Sequence, residues 1–87
     1  MAFYELKWKP SARRELRTLP QPVIASLMIL IDGLKQNPYP QGAKKMTAMQ
    51  DAWRIRQGDY RVVYKVIGNI LTVEIIRVGH RRDVYQA

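Results

Sequence analysis

The stretch WRIRQGDYRVVYKVIGNILTVEII, from Trp53 to Ile76, decides the fold. Two glycine-led dipeptides, Gly58-Asp59 and Gly68-Asn69, interrupt runs rich in Val, Ile, Tyr and Arg, and each has the composition of a two-residue hairpin loop. Three strands of an antiparallel meander are therefore expected. Counting outward from Gly58-Asp59 places Gln57 opposite Tyr60, Arg56 opposite Arg61, Ile55 opposite Val62 and Arg54 opposite Val63. Counting from Gly68-Asn69 places Ile67 opposite Ile70, Val66 opposite Leu71, Tyr64 opposite Val73, Val63 opposite Glu74 and Val62 opposite Ile75. Because side chains alternate between faces, one face carries Trp53, Ile55, Tyr60, Val62, Tyr64, Val66, Leu71, Val73 and Ile75, and the helices should cover it. The other carries Arg54, Arg56, Arg61, Val63, Lys65, Thr72 and Glu74, and is expected to meet solvent as a basic surface.

Upstream, Phe3 to Lys9 alternates with Tyr4, Leu6 and Trp8 on one side, the period of a half-buried strand. Pro10 suits the first turn of a helix, where its missing N–H costs nothing, and Ala12, Leu16 and Leu19 then recur at helical spacing. Arg13, Arg14 and Arg17 lie around the other side of that helix as a solvated face. Pro20-Gln21-Pro22 breaks it. A second helix follows, with Val23, Ile24, Leu27, Met28, Leu30, Ile31 and Leu34 as a wide apolar sector, and Asn37-Pro38 stops it. Asn37 to Gly42 reads as loop and Ala43 to Ala48 as room for a short edge strand. Met28, Met46 and Met49 are assigned to core and edge packing.

These elements leave no linker or repeat, and the 87 residues are read as one domain, 1–87. Fifteen Lys and Arg against seven Asp and Glu give a net charge of +8, which points to a polyanionic partner. The N-terminus lacks the apolar core of a signal peptide, and Val23 to Ile31 is too short to span a bilayer, so a cytoplasmic protein with no membrane partner is expected. The absence of cysteine excludes disulfides, a thiol nucleophile and thiolate metal sites. One histidine and scattered carboxylates show no ligand spacing, so neither a metal site nor a cofactor is expected.

Arg56 and Arg61 directly opposite each other would hold like charges roughly 5 Å apart at Cβ, an arrangement that destabilises a strand pair. Two long side chains can splay into water. With Arg54 on the same face, the arrangement is better matched to a phosphate, because guanidinium forks pair with phosphate oxygens and keep their charge. The C-terminal run Arg77-Val78-Gly79-His80-Arg81-Arg82-Asp83-Val84-Tyr85 adds the one side chain whose unperturbed pKa, roughly 6.5, allows proton exchange near neutrality. His80 in a tail can equally be a solvated surface residue, and Tyr85 a packing residue.

Residues 53 to 85 resemble the RelE/ParE superfamily of bacterial toxin components, in particular its RelE ribonuclease branch. The features that carry the likeness are Tyr60-Arg61-Val62-Val63-Tyr64 and Val78-Gly79-His80-Arg81-Arg82-Asp83-Val84-Tyr85, and the strand-helix-helix order upstream agrees. The resemblance implies a compact α+β fold related to microbial ribonucleases, with an N-terminal strand and two helices packed on one face of an antiparallel β-sheet. It also implies a type II toxin: a metal-independent endoribonuclease that cuts mRNA in the ribosomal A site, inhibits translation, and is held in a hetero-oligomer by an antitoxin. A basic face and a sheet edge call for an antitoxin segment that is acidic and amphipathic.

Carried over by position, Arg61 matches the arginine that contacts the scissile phosphate, Arg81 the one that protonates the leaving group, and Tyr85 the tyrosine beside the substrate. Arg54 and Arg56 stand where the best-known member has two lysines, one of them a proposed general base. Arginine does not lose its proton in proteins, so this role passes to His80, at a position where related toxins carry histidine or lysine. The expected catalytic set is Arg61, His80, Arg81 and Tyr85, with Arg54, Arg56, Lys65 and Arg82 binding RNA phosphates. The gyrase-directed ParE branch usually lacks the histidine and terminal tyrosine. A gyrase inhibitor and a non-enzymatic nucleic-acid-binding module are the alternatives.

Overall fold

A computed structural model describes residues 4–67 and, for the last strand, the backbone of 72–80. The elements run β1 (Glu5–Trp8), α1 (Pro10–Arg17), α2 (Gln21–Gly33), β2 (Lys44–Lys45), β3 (Ala52–Gln57), β4 (Tyr60–Ile67) and β5 (Thr72–His80). They form the α+β arrangement expected, with two helices over one face of a sheet that the N-terminal strand joins at its edge, in strand order β1-β5-β4-β3-β2. The meander and β2 are antiparallel, while β1 joins the far edge parallel to β5, Leu6 opposite Val73 and Trp8 opposite Ile75. Among the described residues no helix is long and apolar enough to cross a membrane.

The β3–β4 hairpin forms in the register read from the sequence, with Arg56 opposite Arg61. Gly58 opens its loop at φ +61°, a left-handed conformation that glycine adopts at no steric cost. The β4–β5 register differs from the count. Ile67 lies opposite Thr72, Val66 opposite Val73 and Tyr64 opposite Ile75, so residues 68–71 stand between the strand ends. Gly68, Asn69, Ile70 and Leu71 lie outside the described residues. A shift of two residues keeps every side chain on its face, which is why apolar alternation could not detect it. Between Val63 and Tyr64 the register slips again at a bulge that skips Ile76: Val63 then faces Arg77, Val62 faces Val78, Arg61 faces Gly79 and Tyr60 faces His80.

Ala12 and Leu16 of α1 and Leu27, Ile31 and Leu34 of and beyond α2 pack on Ile55, Val62, Tyr64 and Val66, with Tyr4, Leu6, Trp8, Leu19 and Trp53 around them. Prolines start both helices, Pro10 at the head of α1 and Pro22 in the first turn of α2. The buried stripe of the second helix is narrower than the apolar sector suggested. Met28 and Ile29 are exposed, since a helix lying on a sheet buries one stripe and not its flanks. Met49 is exposed too, and Met46 packs instead on Val63.

That contact corrects a second expectation. The face opposite the helices is not simply solvent-facing: Val63 and Arg61 are both buried there, with Met46, just after β2, packed on Val63. On the helix side, the Tyr64 hydroxyl donates to the Pro38 carbonyl at 2.7 Å and ties the Asn37–Gly42 loop to β4. Tyr39 of that loop rests on Trp53, ring centroids 4.8 Å apart and tilted by 58°. Burial, with a smaller contribution from Tyr39, pushes the Tyr64 phenol well above its ordinary value. Above pH ~10 the unfolded chain releases this proton while the folded chain keeps it, so stability present below that pH is lost as pH rises. Tyr64→Phe is expected to cost about 1 kcal/mol at neutral pH. It should also flatten the alkaline limb of the stability curve, as urea titrations between pH 7 and 11 would show.

Candidate functional site

The open face of the hairpin assembles the site from three strands. Arg54 and Arg56, two apart on β3, project to the same side; Arg61 of β4 is directly across from Arg56, and Lys44 of β2 is directly across from Arg54. These four side chains and Gly42 line a cleft of about 330 Å³. Gly42 takes φ +95°, where a side chain would be strained, so the turn into β2 needs a glycine there.

Within the cleft, exposure falls from rim to floor. Lys44 and Arg56 are exposed, Arg54 is half-buried, and Arg61 retains only 7% of its surface. A guanidinium is seldom withdrawn from water this far, and it is held here by the ladder around it. Its position opposite Gly79 results from the loop and bulge of β5; counting from Gly68-Asn69 would have set the bulky Ile76 there. Gly79 is itself buried and has no side chain to occupy the rung beside Arg61. Arg61 Nη1 also comes within 3.5 Å of the Tyr60 carbonyl.

The cleft can do one thing well. Three guanidiniums are fixed positive charges that cannot exchange protons, and they converge on a volume open to one side, which suits an oxyanion such as a phosphodiester. Among the described residues no group of His, Asp and Glu side chains comes together in a way that could hold a metal ion.

The structure brings together Arg54, Arg56 and Arg61 of the residues expected from the sequence. Lys65 lies farther along β4, opposite Ala52 and Glu74, and does not line the cleft. The backbone of His80 ends β5 opposite Tyr60, one residue beyond the Gly79–Arg61 rung. The His80 side chain and all of Arg81, Arg82 and Tyr85 lie outside the described residues. Lys44 and Gly42 were missed as site residues. A lysine pair in a candidate edge strand was visible in the sequence, but the pairing of that strand with β3 was not.

Residues 6–85 match the family model described as ParE toxin of type II toxin-antitoxin system, parDE. The Mycobacterium tuberculosis protein named Toxin RelG is 31% identical over 84 residues, covering 95% of this chain and 97% of that one. Among solved structures, the toxin-antitoxin complex RelBE2 from Mycobacterium tuberculosis matches with a TM-score of 0.80 at 29% identity, over 92% of this chain and 100% of the other. The isolated E. coli RelE toxin matches with a TM-score of 0.78 at 30% identity, over 95% of this chain and 92% of the other.

Proposed function

Because the chain belongs to the RelE/ParE superfamily of type II toxin-antitoxin toxins, on its RelE-like branch, we propose that it is a metal-independent endoribonuclease that cleaves mRNA in the ribosomal A site and so stops translation. The observation that carries this reading is Arg61, buried at the floor of an arginine-lined cleft on the face the helices leave open.

In the proposed reaction the ribose 2′-oxygen attacks the adjacent phosphorus and the bond from phosphorus to the 5′-oxygen breaks. The products are a 2′,3′-cyclic phosphate and a 5′-hydroxyl. Arg54, Arg56 and Arg61 stabilise the charge that grows on the phosphoryl oxygens, an effect strongest for donors fixed before the reaction. His80 or Tyr85 takes the 2′-proton, and Arg81 or His80 supplies one to the 5′-oxygen. The ribosome contributes by holding the mRNA in place. Lys65 and Arg82 extend the attraction for RNA. Addition of the protein to a translating extract, with mRNA breaks mapped, tests the whole reading: cuts should fall at a fixed position within codons, and an intact message would overturn it.

A second reading has one observation in its favour, the ParE description of the matching family model. A toxin of that kind would leave mRNA uncut and inhibit gyrase in a supercoiling assay. Binding without either effect would leave a nucleic-acid-binding module.

The charge makes a further prediction. If the cleft meets phosphates, affinity for ribosomes or single-stranded RNA falls with salt, with a log–log slope of about 0.7 per phosphate neutralised. Filter binding across a salt series checks this, and an affinity independent of salt would remove the electrostatic basis of the site.

Control of such a toxin requires a partner. The relative from Mycobacterium tuberculosis was solved as a toxin-antitoxin complex. For this chain, with its net charge of +8 and exposed Arg56 and Lys44, the fitting antitoxin presents an acidic amphipathic segment. Expression from the native operon should yield a stoichiometric complex, released by high salt more readily than an apolar interface would be. Recovery of the chain alone would contradict this.

A further inference from the structure

Trp53 of β3 and Tyr64 of β4 stand directly opposite each other on the face the helices cover, and both reach the same loop. The Tyr64 hydroxyl donates to the Pro38 carbonyl at 2.7 Å, and the Trp53 ring meets that of Tyr39 at 4.8 Å between centroids. One cross-strand pair thus grips two consecutive residues of the connection between α2 and β2. Pro38 and Tyr64 are both buried, so this hydrogen bond is made away from solvent, where its loss leaves a polar group without a substitute partner.

From that grip the chain is constrained step by step to the cleft. Asn37 Oδ1 accepts the Tyr39 backbone N–H at 3.0 Å, and the Ala43 N–H donates to the Pro40 carbonyl at 3.0 Å. Gly42 turns at φ +95°, and Lys44 then pairs opposite Arg54. Gly42 and Lys44 are the two parts of the cleft lining that β3 and β4 do not supply. The three arginines stand on the long β3–β4 ladder, whereas β2 consists of Lys44 and Lys45 alone, too short a ladder to fix its own position. It is held from downstream by the Met46 N–H, which donates to the Ala52 carbonyl at 2.9 Å, and from upstream by the gripped loop.

Resting on the reading that the cleft takes a phosphodiester, we propose that Tyr64 and Tyr39 are positioning residues for it. Their grip, made on the far face of the sheet, fixes where Gly42 and Lys44 stand on the cleft rim. Neither tyrosine touches the substrate. Lys44 is exposed and carries its charge on a flexible stem, so what it contributes to anion affinity depends on how firmly its backbone is placed beforehand.

The test is a set of double-substitution cycles read as affinity for a single-stranded oligoribonucleotide, well below the unfolding transition of every variant. In the unaltered protein Lys44→Gln should weaken binding about fivefold, the scale of one solvated charge pair. In the background Tyr39→Ala/Tyr64→Phe the same substitution should weaken it less than about twofold, because the misplaced lysine has already lost its contact. Arg56→Gln should cost the same in both backgrounds, since Arg56 is held by the β3–β4 ladder; a general loosening of the sheet would blunt it as well. Tyr39→Phe keeps a ring against Trp53 and should leave the effect of Lys44→Gln intact. The proposal is overturned if Lys44→Gln costs the same in both backgrounds, if Lys44→Gln and Arg56→Gln are blunted alike, or if Lys44→Gln leaves the unaltered protein's affinity unchanged. A protein that shows the expected coupling yet cuts no message in a translating extract would overturn the ribonuclease reading alone, because the cycles are read without catalysis.

Discussion

Arg61→Ala is expected to lower the single-turnover rate of mRNA cleavage by about 10²- to 10³-fold, the usual loss, near 2.7 to 4 kcal/mol, when one preorganised donor to a transition-state oxyanion is removed. Binding should suffer far less. One positive charge among several contributes modestly to affinity for a polyanion, whereas an aligned and desolvated charge acts where the phosphoryl oxygens gain charge. Arg61 is singled out from its neighbours by burial: it sits at 7% exposure between Arg56 on one side and Gly79 on the other, while Arg56 itself is open to solvent. Arg56→Ala should accordingly cost less in rate and proportionally more in the salt-dependent part of binding. Single-turnover cleavage on programmed ribosomes, with ribosome affinity and thermal midpoint measured in parallel, decides the matter. Equal losses in rate and affinity for Arg61→Ala would reduce the residue to a tether.

His80→Ala and Tyr85→Phe are expected to separate the two candidates for proton transfer. The residue that acts as base or acid should, when replaced, lower the single-turnover rate by at least ~100-fold, and the other substitution should change it little. If the base is His80, the rate of the unaltered protein should rise with pH through the imidazole range, near ~6.5, and that limb should vanish in His80→Ala. The products should carry a 2′,3′-cyclic phosphate, a 2′-deoxy substitution at the cut site should block the reaction, and EDTA should leave it unaffected. The backbone of His80 ends β5 opposite Tyr60, one residue past the Gly79–Arg61 rung. Cleavage at an unaltered rate by both variants would remove the C-terminal assignment. Lys44, the lysine of the described cleft lining, would then be the next to substitute, with Lys44→Arg retaining the charge but not the capacity for proton transfer.

Much of the architecture was legible because it rests on local rules. Gly58-Asp59 can close a two-residue hairpin, and a hairpin loop determines the partners on either side of it, so Arg56 against Arg61 followed by counting. Alternation in Tyr4, Leu6 and Trp8, and the spacing of Ala12, Leu16, Leu27, Ile31 and Leu34, identified the face each element buries, and all of these residues belong to or pack against the core. The basic cleft was legible to the same extent, as three arginines on one face of the β3–β4 hairpin.

What the sequence alone determined is the set of elements, their apolar faces and the arginine cluster, since each depends on residues close together in the chain. What only the tertiary structure decided is the depth of Arg61, the membership of Lys44 and the parallel seat of β1 against β5. Register between β4 and β5 depends on which pairing satisfies the whole ladder, and a shift of two residues leaves the alternation unchanged. The bulge that sets Gly79 beside Arg61 has no signature in alternation, because it costs one unpaired residue locally and is repaid by contacts across the sheet. Burial likewise depends on contacts distant in the chain: Met46 covers Val63 on the face that alternation assigned to water, and Arg61, two residues before it on β4, is withdrawn from solvent, because long-range packing, not local preference, determines which surfaces remain wet.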